Sequence, residues 1–368
     1  MNLRERFSAV MDYASCQHVP CWYFGTWAET KQRWQAEGCP SVTSLTGDAG
    51  PQLSTMDAEW EPGMWDAHRL VNPNPLIEGK SEVLEETDAF RVVRDPLGGV
   101  VKHSKRGSSI PEHLEYPLKP TRQSWDALRR CLDPHDPRRR PEDWLKKAAG
   151  LKTRDHVITF MAASLYGWPR NWMGVEQLSY LAYDDPALLE EILEHLADFF
   201  VALYSPVLRA VDFDFAYIFE DCCFNTGPLL SPELYRQFYA RHYRRLIDFY
   251  HASGIRWVLL DSDGKVDDLL PCWLDSGVDI VFPIEVGTWR ADPLALRAQY
   301  GKRLRMMGGF DKHLIPRGEK AIRQELLRLR PLVAEGGFIP LPDHRIPPDC
   351  SWQQFETYVR VFKEVFWQ

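Results

Sequence analysis

The sequence predicts an α/β fold, a (β/α)₈ TIM barrel with an elaboration near its amino terminus. Short apolar segments recur along the chain, and each is followed by a longer stretch with the apolar spacing of a helix. Several of these segments also end in an acidic residue, at the position where barrel enzymes carry their chemistry. Alternating strands and helices imply a parallel sheet. No G-x-G-x-x-G turn follows a strand, which favours a closed barrel over a doubly wound, dinucleotide-binding sheet.

The individual elements follow from the same periodicities. Strands are predicted over residues 156–164, 215–221, 256–263, 279–285, 304–311 and 337–344, and residues 19–24 read as an earlier strand. Helices are predicted over residues 186–211, 231–253, 320–334 and 351–366, and Asp184 or Asp185 serves as the N-cap of the first. Residues 90–102 predict a hairpin with a Pro-Leu-Gly-Gly turn. We therefore expect one domain over residues 1–368, with the clearest βα units in 155–368 and an elaboration of the barrel mouth in 31–151.

The composition excludes several classes of protein. The apolar share of 45% and the charged share of 26% are ordinary for a globular chain. The net charge of −8 argues against a nucleic-acid surface. We expect no membrane span, because no run of about 18 apolar residues occurs. The charged amino terminus shows no secretion signal, and eight cysteines without one predict reduced thiols in the cytoplasm. Joint metal binding by Cys222 and Cys223 is not expected, since neighbours on a strand point to opposite faces.

The candidate active site is a ring of polar residues at the predicted strand ends. These are Glu220, Asp221, Asp261, Asp263, Glu285, Asp311 and His344. Asp261 and Asp263 are two residues apart, so on a strand both carboxylates face the same side. Two close carboxylates repel, which raises one pKa or recruits a cation. With His344, and Glu220 or Glu285 as a fourth ligand, this set suits Zn²⁺ or another divalent ion.

Several of these residues also have a purely structural interpretation, although Glu285, between apolar neighbours, is harder to explain in this way. Asp263 could belong to a turn that caps a helix near Val266. His344 could pair with its neighbour Asp343, and Asp311 with Lys312. Among further candidates for substrate contact, Trp22 could instead pack in the core. Tyr166 and Arg170 follow a strand in a loop, where Arg170 could bind a carboxylate or a phosphate, or could lie at the surface.

Several motifs resemble the uroporphyrinogen decarboxylase superfamily over essentially the whole chain. They are Arg4-Glu5-Arg6-Phe7 followed by Val19-Pro20, residues 227–232 (GPLLSP), the strand ending in D-S-D-G, Gly308-Gly309, and the closing G-G-F-I-P-x-P-D-H-x-I-P-P-D. The resemblance implies a (β/α)₈ barrel. It also implies either decarboxylation of a porphyrinogen or methyl transfer linked to cobalamin, in which zinc activates an acceptor thiol.

Two departures from the family's patterns choose between these activities. The decarboxylase carries an arginine-rich stretch after its first strand, where residues 23–27 here read YFGTW. The zinc methyltransferases carry H-x-C and a final cysteine, where Asp261-x-Asp263 and His344 stand here. We therefore expect a metal-dependent methyltransferase that acts on a small methylated substrate with a separate corrinoid protein. Asp261, Asp263, Glu285 and His344 would bind the metal, and Glu220 or Asp221 would donate a proton. A decarboxylase or lyase of a small carboxylated substrate, and a non-catalytic ligand-binding barrel, are the alternatives; the oligomeric state is left open.

Overall fold

The computed structural model describes residues 1–39, 69–105 and 111–367. Its centre is a six-stranded, wholly parallel sheet whose neighbouring strands follow one another along the chain. The strands are β1 (Glu82–Glu86), β2 (Phe90–Arg94), β3 (Val100–Ser104), β4 (Glu112–Glu115), β5 (Thr159–Ala163), β6 (Phe215–Phe219), β7 (Cys223–Phe224), β8 (Gly227–Pro228), β9 (Val258–Asp261), β10 (Ile280–Ile284), β11 (Arg305–Phe310) and β12 (Phe338–Pro342). The parallel sheet runs in the order β5, β6, β9, β10, β11, β12. All six of its strands lie within segments predicted as strands.

Helices precede, separate and follow the strands of the parallel sheet. They are α1 (Leu3–Met11), α2 (Ala28–Ala36), α3 (Arg122–Arg129), α4 (Trp144–Gly150), α5 (Gly167–Met173), α6 (Val175–Asp184), α7 (Pro186–Leu208), α8 (Pro232–Leu234), α9 (Ala240–Ala252), α10 (Leu270–Asp275), α11 (Val286–Trp289), α12 (Pro293–Tyr300), α13 (Glu319–Glu335) and α14 (Trp352–Phe366). The Asp185 side chain caps α7, as predicted, and accepts a hydrogen bond from the amide of Leu188 at 3.0 Å. The predicted helix 231–253 is not uniform, because a π-helical turn at Tyr235–Tyr239 joins α8 to α9.

The predicted first strand, residues 19–24, is not a regular strand. Val19, Cys21, Trp22 and Tyr23 are buried there, and the chain pairs only at Thr26, through a parallel bridge to Ile346 beyond β12. The ring of Phe24 lies 4.9 Å from that of Phe282 on β10 and 5.2 Å from that of His344. Thus this segment crosses the inner side of the sheet at its far edge, where the first strand of a barrel belongs.

The amino-terminal part of the chain forms a separate antiparallel sheet. The predicted hairpin is confirmed as β2 and β3, which pair in register from Phe90–Ser104 to Arg94–Val100. Strands β1 and β4 flank it. A buried Arg139 joins the chain before this sheet to the chain after it, by donating to the carbonyls of Asn72 and Asn74 on one side and of Cys131 on the other. That this region covers the barrel mouth stays a prediction.

No helix among the described residues is long and apolar enough to cross a membrane.

A buried ion network holds the amino-terminal ends of the strands. Asp214, just before β6, accepts from Arg4 at 2.6 Å, from Arg154 at 2.9 Å and from the amide of Ile158 at 2.8 Å. The side chains of Arg154 and Asp214 are only 2% and 3% exposed. The network therefore joins α1 to the chain that leads into β5 and β6.

Replacement of Asp214 by alanine is expected to lower the free energy of unfolding by about 3 to 5 kcal/mol, because it leaves the Arg154 guanidinium buried without its anion. Thermal and urea denaturation measure the loss. The matched control is Asp155→Ala, since that side chain is 85% exposed, and its effect should stay within about 0.5 kcal/mol. Equal effects of the two substitutions would contradict the assigned role.

Candidate active site

The alternation of side chains along β6 and β9 decides which strand-end residues face the barrel interior. Phe219 pairs with Asp261 and Tyr217 with Leu259, so the side chains of Tyr217 and Asp261 share one face. The Tyr217 hydroxyl donates to Oδ2 of Asp261. Glu220 lies on the opposite face, where it contacts Tyr243 of the outer helix α9. Asp261 and Glu220, which the sequence placed in one ring, therefore lie on different sides of the sheet.

The pKa of Asp261 is strongly changed by burial and by neighbouring groups. It is 5% exposed. Burial raises its pKa well above the usual range, and the nearby charge of Asp263 raises it further, although the hydrogen bond from Tyr217 opposes both effects. Asp261 therefore keeps its proton to a higher pH than an exposed aspartate does.

Asp263 and His344 form a pair at the mouth. Nε2 of His344 lies 3.2 Å from Oδ2 of Asp263, and the Asp263 side chain is 40% exposed. The rings of Phe24 and Trp27 flank the imidazole at 5.2 Å and 6.1 Å. The alternative in which Asp263 caps a helix is wrong, because the next helix begins at Leu270.

Three other strand-end carboxylates bind backbone amides, and we call Glu220, Glu285 and Asp343 the loop-binding carboxylates. Glu220 accepts from the amides of residues 165, 166 and 167 at 2.6–2.8 Å, and from the Tyr243 hydroxyl. Glu285 accepts from the amide of Gly264 at 2.7 Å and from the Thr288 hydroxyl at 3.2 Å. Each group holds the loop that follows a neighbouring strand.

Asp343 is the most deeply buried of the three. It is 0% exposed and accepts from the amides of Val286, Gly287 and Lys312 at 2.9, 2.7 and 3.2 Å. The Lys312 ammonium lies 3.6 Å away. Asp343 therefore holds the loops after β10 and β11, and its partner is Lys312, not the adjacent His344.

Desolvation also raises the pKa of two of these carboxyl groups, Glu220 and Glu285. Burial raises the pKa of Glu220 to about 6, even though its four donors favour the ionised form. Burial raises the pKa of Glu285, as does the charge of Asp263, while the amide of Gly264 opposes this. Glu220 is thus ionised at neutral pH and fully occupied by donors.

The predicted metal shell does not assemble. Within residues 1–39, 69–105 and 111–367, no three His, Cys, Asp or Glu side chains lie close enough together to hold a metal ion. Asp263 and His344 supply two adjacent donors, but Asp261 is bonded to Tyr217 and Glu285 to Gly264. The arrangement therefore does not fit a metal held by four or even three of these residues.

Asp221 and Arg170 form an ion pair beside the site. Arg170 donates to Oδ2 of Asp221 at 3.0 Å and to its carbonyl oxygen at 2.6 Å. These two bonds hold Asp221 at φ +49°, a left-handed conformation that few side chains adopt. Arg170 is thereby engaged by the protein itself.

The remaining predicted substrate contacts lie elsewhere. Trp22 is 0% exposed and stacks on Phe7 of α1 at 5.8 Å, so it belongs to the core near the amino-terminal ends of the strands. Asp311 binds the amide and ring nitrogen of His313, both at 2.9 Å. Tyr166 is 3% exposed and lies against Tyr239 of the outer layer, with ring centroids 6.1 Å apart. Roles in substrate binding for these three residues stay predictions without support from their contacts.

Sequence reasoning missed Tyr217 and Phe24. Tyr217 could have been found by alternation along the predicted strand 215–221. It lies two residues before Phe219, which pairs with Asp261, so its side chain faces the interior together with that of Asp261. No local pattern marks Phe24, because its ring contacts residues more than 250 positions away.

A surface cleft of about 510 Å³ lies at the opposite end of the sheet. It is lined by Arg4, Ser8, Asp214, Arg256 and Trp257, among others. Since the chemistry of barrel enzymes sits at the carboxyl ends of the strands, and the polar cluster lies there, this cleft is not the active site.

Parallel strands and intervening helices define an α/β-barrel fold, and the polar residues lie at the carboxyl ends of the strands, where enzymes of this fold carry their active sites. The model of the family "Uroporphyrinogen decarboxylase (URO-D)" matches residues 159–365, more than half of the chain, and the protein belongs to this family. The predicted barrel is confirmed by this membership together with the structural similarity below.

Individual relatives are distant. Uroporphyrinogen decarboxylase from Shewanella piezotolerans is 28% identical over 163 residues, or 44% of each chain. The enzyme from Methylococcus capsulatus is 27% identical over 188 residues, covering 50% of this chain and 51% of its own. The chain thus spans about half the length of these curated relatives. A methyltransferase from Methanosarcina mazei superimposes with a TM-score of 0.57 over 99% of both chains, at 14% identity, and this likeness concerns the fold alone.

Replacement of Glu220 by glutamine is expected to lower the free energy of unfolding at pH 7 by about 3 kcal/mol, because an amide NH₂ then faces buried N–H donors. The substitution should also remove a pH dependence. Since the folded pKa of about 6 exceeds the usual glutamate value of 4.5, the free energy of unfolding of the wild type falls by about 2 kcal/mol as the pH rises from 4.5 to 6.

Denaturation curves at several pH values compare this variant with the control Glu233→Gln, whose side chain is exposed. If the free energy of unfolding of Glu220→Gln depends on pH as strongly as that of the wild type, the raised pKa is wrongly assigned to Glu220.

Proposed function

We propose that this chain is a methyltransferase that acts on a small methylated substrate, with Asp261 as the general acid. The observation that carries the proposal is the buried carboxyl of Asp261, which faces the interior, accepts from Tyr217 and has a raised pKa. A carboxylic acid kept neutral can donate a proton to a leaving atom at neutral pH. The sequence analysis expected Glu220 or Asp221 to donate the proton. We assign this role to Asp261 instead, because Glu220 binds four donors on the other face of the sheet and Asp221 is paired with Arg170.

The charges at the mouth favour a methylated substrate over a polycarboxylate. Of the nearby cations, Arg170 is paired with Asp221 and Lys312 with Asp343, and the Arg345 guanidinium lies over the rings of Phe24 and Trp27. Asp263 and Glu285 bring two further carboxyl groups to the mouth, and Phe24 and Trp27 add apolar walls. A porphyrinogen with several carboxylates would meet repulsion here, whereas a neutral or cationic methyl donor would not.

The chemical step follows from this geometry. The substrate places its methyl-bearing oxygen or nitrogen near Asp261, and the bond from that atom to the methyl carbon breaks as the carboxyl proton is transferred. The methyl group passes to an acceptor, and the demethylated alcohol or amine leaves. The Asp263–His344 pair, which reaches solvent, returns a proton to Asp261. Tyr217 orients the carboxyl throughout.

The methyl acceptor lies outside this chain. A corrinoid carried by a separate protein would supply it, as the family resemblance suggests, and we assign no residue to it. We expect this reaction in the cytoplasm. We do not include zinc in the proposed mechanism, because no three of the predicted metal ligands lie together among the described residues. Zinc dependence is one of the outcomes that the experiments below distinguish.

Asp261→Asn is expected to lower kcat at least 100-fold, since general acids contribute about 10² to 10⁴. Asparagine still accepts from Tyr217, so the melting temperature should not fall. The assay follows demethylation of a panel of methyl ethers and methylamines with added corrinoid protein. Asp268→Asn, at an exposed aspartate, serves as the control. An Asp261→Asn enzyme with full activity on the accepted substrate would refute the proposal.

The rate should also fall with rising pH and survive chelation. Because the acid form of Asp261 is the active one, kcat/KM declines about tenfold per pH unit above its raised pKa, and Asp261→Asn has no such decline. Dialysis against a strong chelator should leave activity unchanged. If activity is lost and Zn²⁺ restores it, the metal-dependent mechanism is correct instead. If a carboxylated substrate releases CO₂ while no methyl donor reacts, the protein is a decarboxylase.

A further inference from the structure

Apolar side chains share the inner face of the sheet with Asp261. Met161 of β5 pairs with Tyr217 of β6, and Phe219 of β6 pairs with Asp261 of β9. Residues that pair directly across parallel strands point to the same face, and so do residues two apart on one strand. Met161, Tyr217 and Phe219 therefore face the barrel interior together with the Asp261 carboxyl.

Solvent reaches this inner face. Met161 and Phe219 are half-buried, whereas their outward-facing neighbours on the same three strands, Ala162, Ile218 and Leu260, are 0% exposed. A barrel interior is ordinarily filled by layers of side chains. The partial exposure of the inward-facing residues therefore indicates an open space inside the barrel, bordered by Met161 and Phe219, which we call the chamber.

Aromatic side chains border the chamber on its other side as well. Phe282 of β10 pairs with Asp261 and so also faces inward. The ring of Phe24 lies 4.9 Å from the ring of Phe282 in an edge-on arrangement, and Phe24 is half-buried. Because β9 lies between β6 and β10 in the sheet, Asp261 lies between Phe219 on one side and Phe282 with Phe24 on the other. Its carboxyl group is thus flanked by aromatic surface.

We propose that the methyl donor is an aryl methyl ether, whose ring occupies the chamber and whose ether oxygen lies at Asp261. This inference rests on the methyl transfer proposed above. Aromatic rings pack favourably against other rings and against thioethers, and Phe24, Phe219 and Met161 provide both. A small alkyl ether would leave most of this surface without a partner.

An acid in this position also favours an ether over a methylated ammonium. An ammonium donor leaves as a neutral amine and needs no proton, whereas the oxygen of an ether leaves with the electron pair of its bond to the methyl carbon. That oxygen takes the proton of Asp261. The methyl group forms its new bond with an electron pair of a reduced, nucleophilic corrinoid on the partner protein. An aryl oxygen leaves readily, since a phenol has a pKa of about 10 against about 16 for water, which simple alcohols resemble.

The cation at the mouth argues against a quaternary ammonium substrate too. Proteins recognise such groups with the faces of aromatic rings. Here the Arg345 guanidinium lies over the rings of Phe24 and Trp27, at 5.4 and 6.0 Å from their centroids. An ammonium group would have to compete with it for those faces, whereas a neutral ring inside the chamber would not.

Binding of unreacted compounds tests the substrate class without any turnover. The full-length chain is titrated, by isothermal titration calorimetry, with 2-methoxyphenol, with its saturated match 2-methoxycyclohexanol and with tetramethylammonium. 2-Methoxyphenol should bind at least tenfold more tightly than either of the others, and this comparison on the wild type does not depend on the folding of any variant. Equal affinity for 2-methoxyphenol and its saturated match, or a preference for tetramethylammonium, would overturn the proposal.

A pair of variants locates the binding in the chamber. Phe219→Leu should weaken the binding of 2-methoxyphenol about two- to tenfold, because leucine keeps apolar volume but loses the ring contact. Phe249→Leu, on the outer helix α9, should bind as the wild type does, and circular dichroism shows whether both variants are folded. Wild-type affinity in folded Phe219→Leu would overturn the placement of the ring.

Turnover separates this inference from the proposed function. If a methylamine or an alkyl methyl ether is demethylated with a higher kcat/KM than any aryl methyl ether, this inference is wrong and the proposed methyl transfer stands. If 2-methoxyphenol binds selectively but no donor is demethylated, the proposed methyl transfer is wrong, whereas the aromatic specificity of the chamber is upheld.

Discussion

The mouth of this barrel depends on carboxylates that bind the backbone of a neighbouring loop. Glu220 at the end of β6 binds the amides after β5, Glu285 after β10 binds the amide of Gly264 after β9, and Asp343 after β12 binds amides after β10 and β11. Amides in a loop at the end of a buried sheet must find acceptors. A carboxylate offers several at once, and the result is a chain of contacts from strand to strand around the mouth.

This arrangement separates structural carboxylates from those available for chemistry. A carboxylate that accepts two to four hydrogen bonds from its own protein has less capacity left for a substrate. Once Glu220, Glu285 and Asp343 are occupied in this way, and Asp221 is paired with Arg170, the groups left near the interior are Asp261, Asp263 and His344. Among them, Asp261 is the one whose pKa is governed mainly by desolvation, because burial is the largest influence on it.

Much of the fold could be predicted from the sequence, since apolar segments of strand length are a direct consequence of burial on both faces. The position of the site could also be predicted, because parallel strands bring their carboxyl ends together. The role of each carboxylate could not. Asp343 binds amides that lie 31 to 57 residues away, and a local pattern holds no record of them. Strict alternation along β6 would have predicted the face of the sheet on which Glu220 lies. Grouping the polar residues only by their position at strand ends did not distinguish the two faces. The position of Trp22 could not be predicted either, because the strand-like pattern of residues 19–24 does not indicate the end of the barrel at which its side chain packs.

The π-helical turn at Tyr235–Tyr239 has a consequence for how this protein could have diverged. Such a turn amounts to an α-helix with one inserted residue. The insertion lies between the Ser231 cap and Tyr243, whose hydroxyl reaches Glu220. Deleting one residue would restore a regular helix but rotate the two ends relative to each other by about 100°, which would turn Tyr243 away. The chain thus retains an irregular helix, and a relative lacking that extra residue would need a different donor for its buried glutamate.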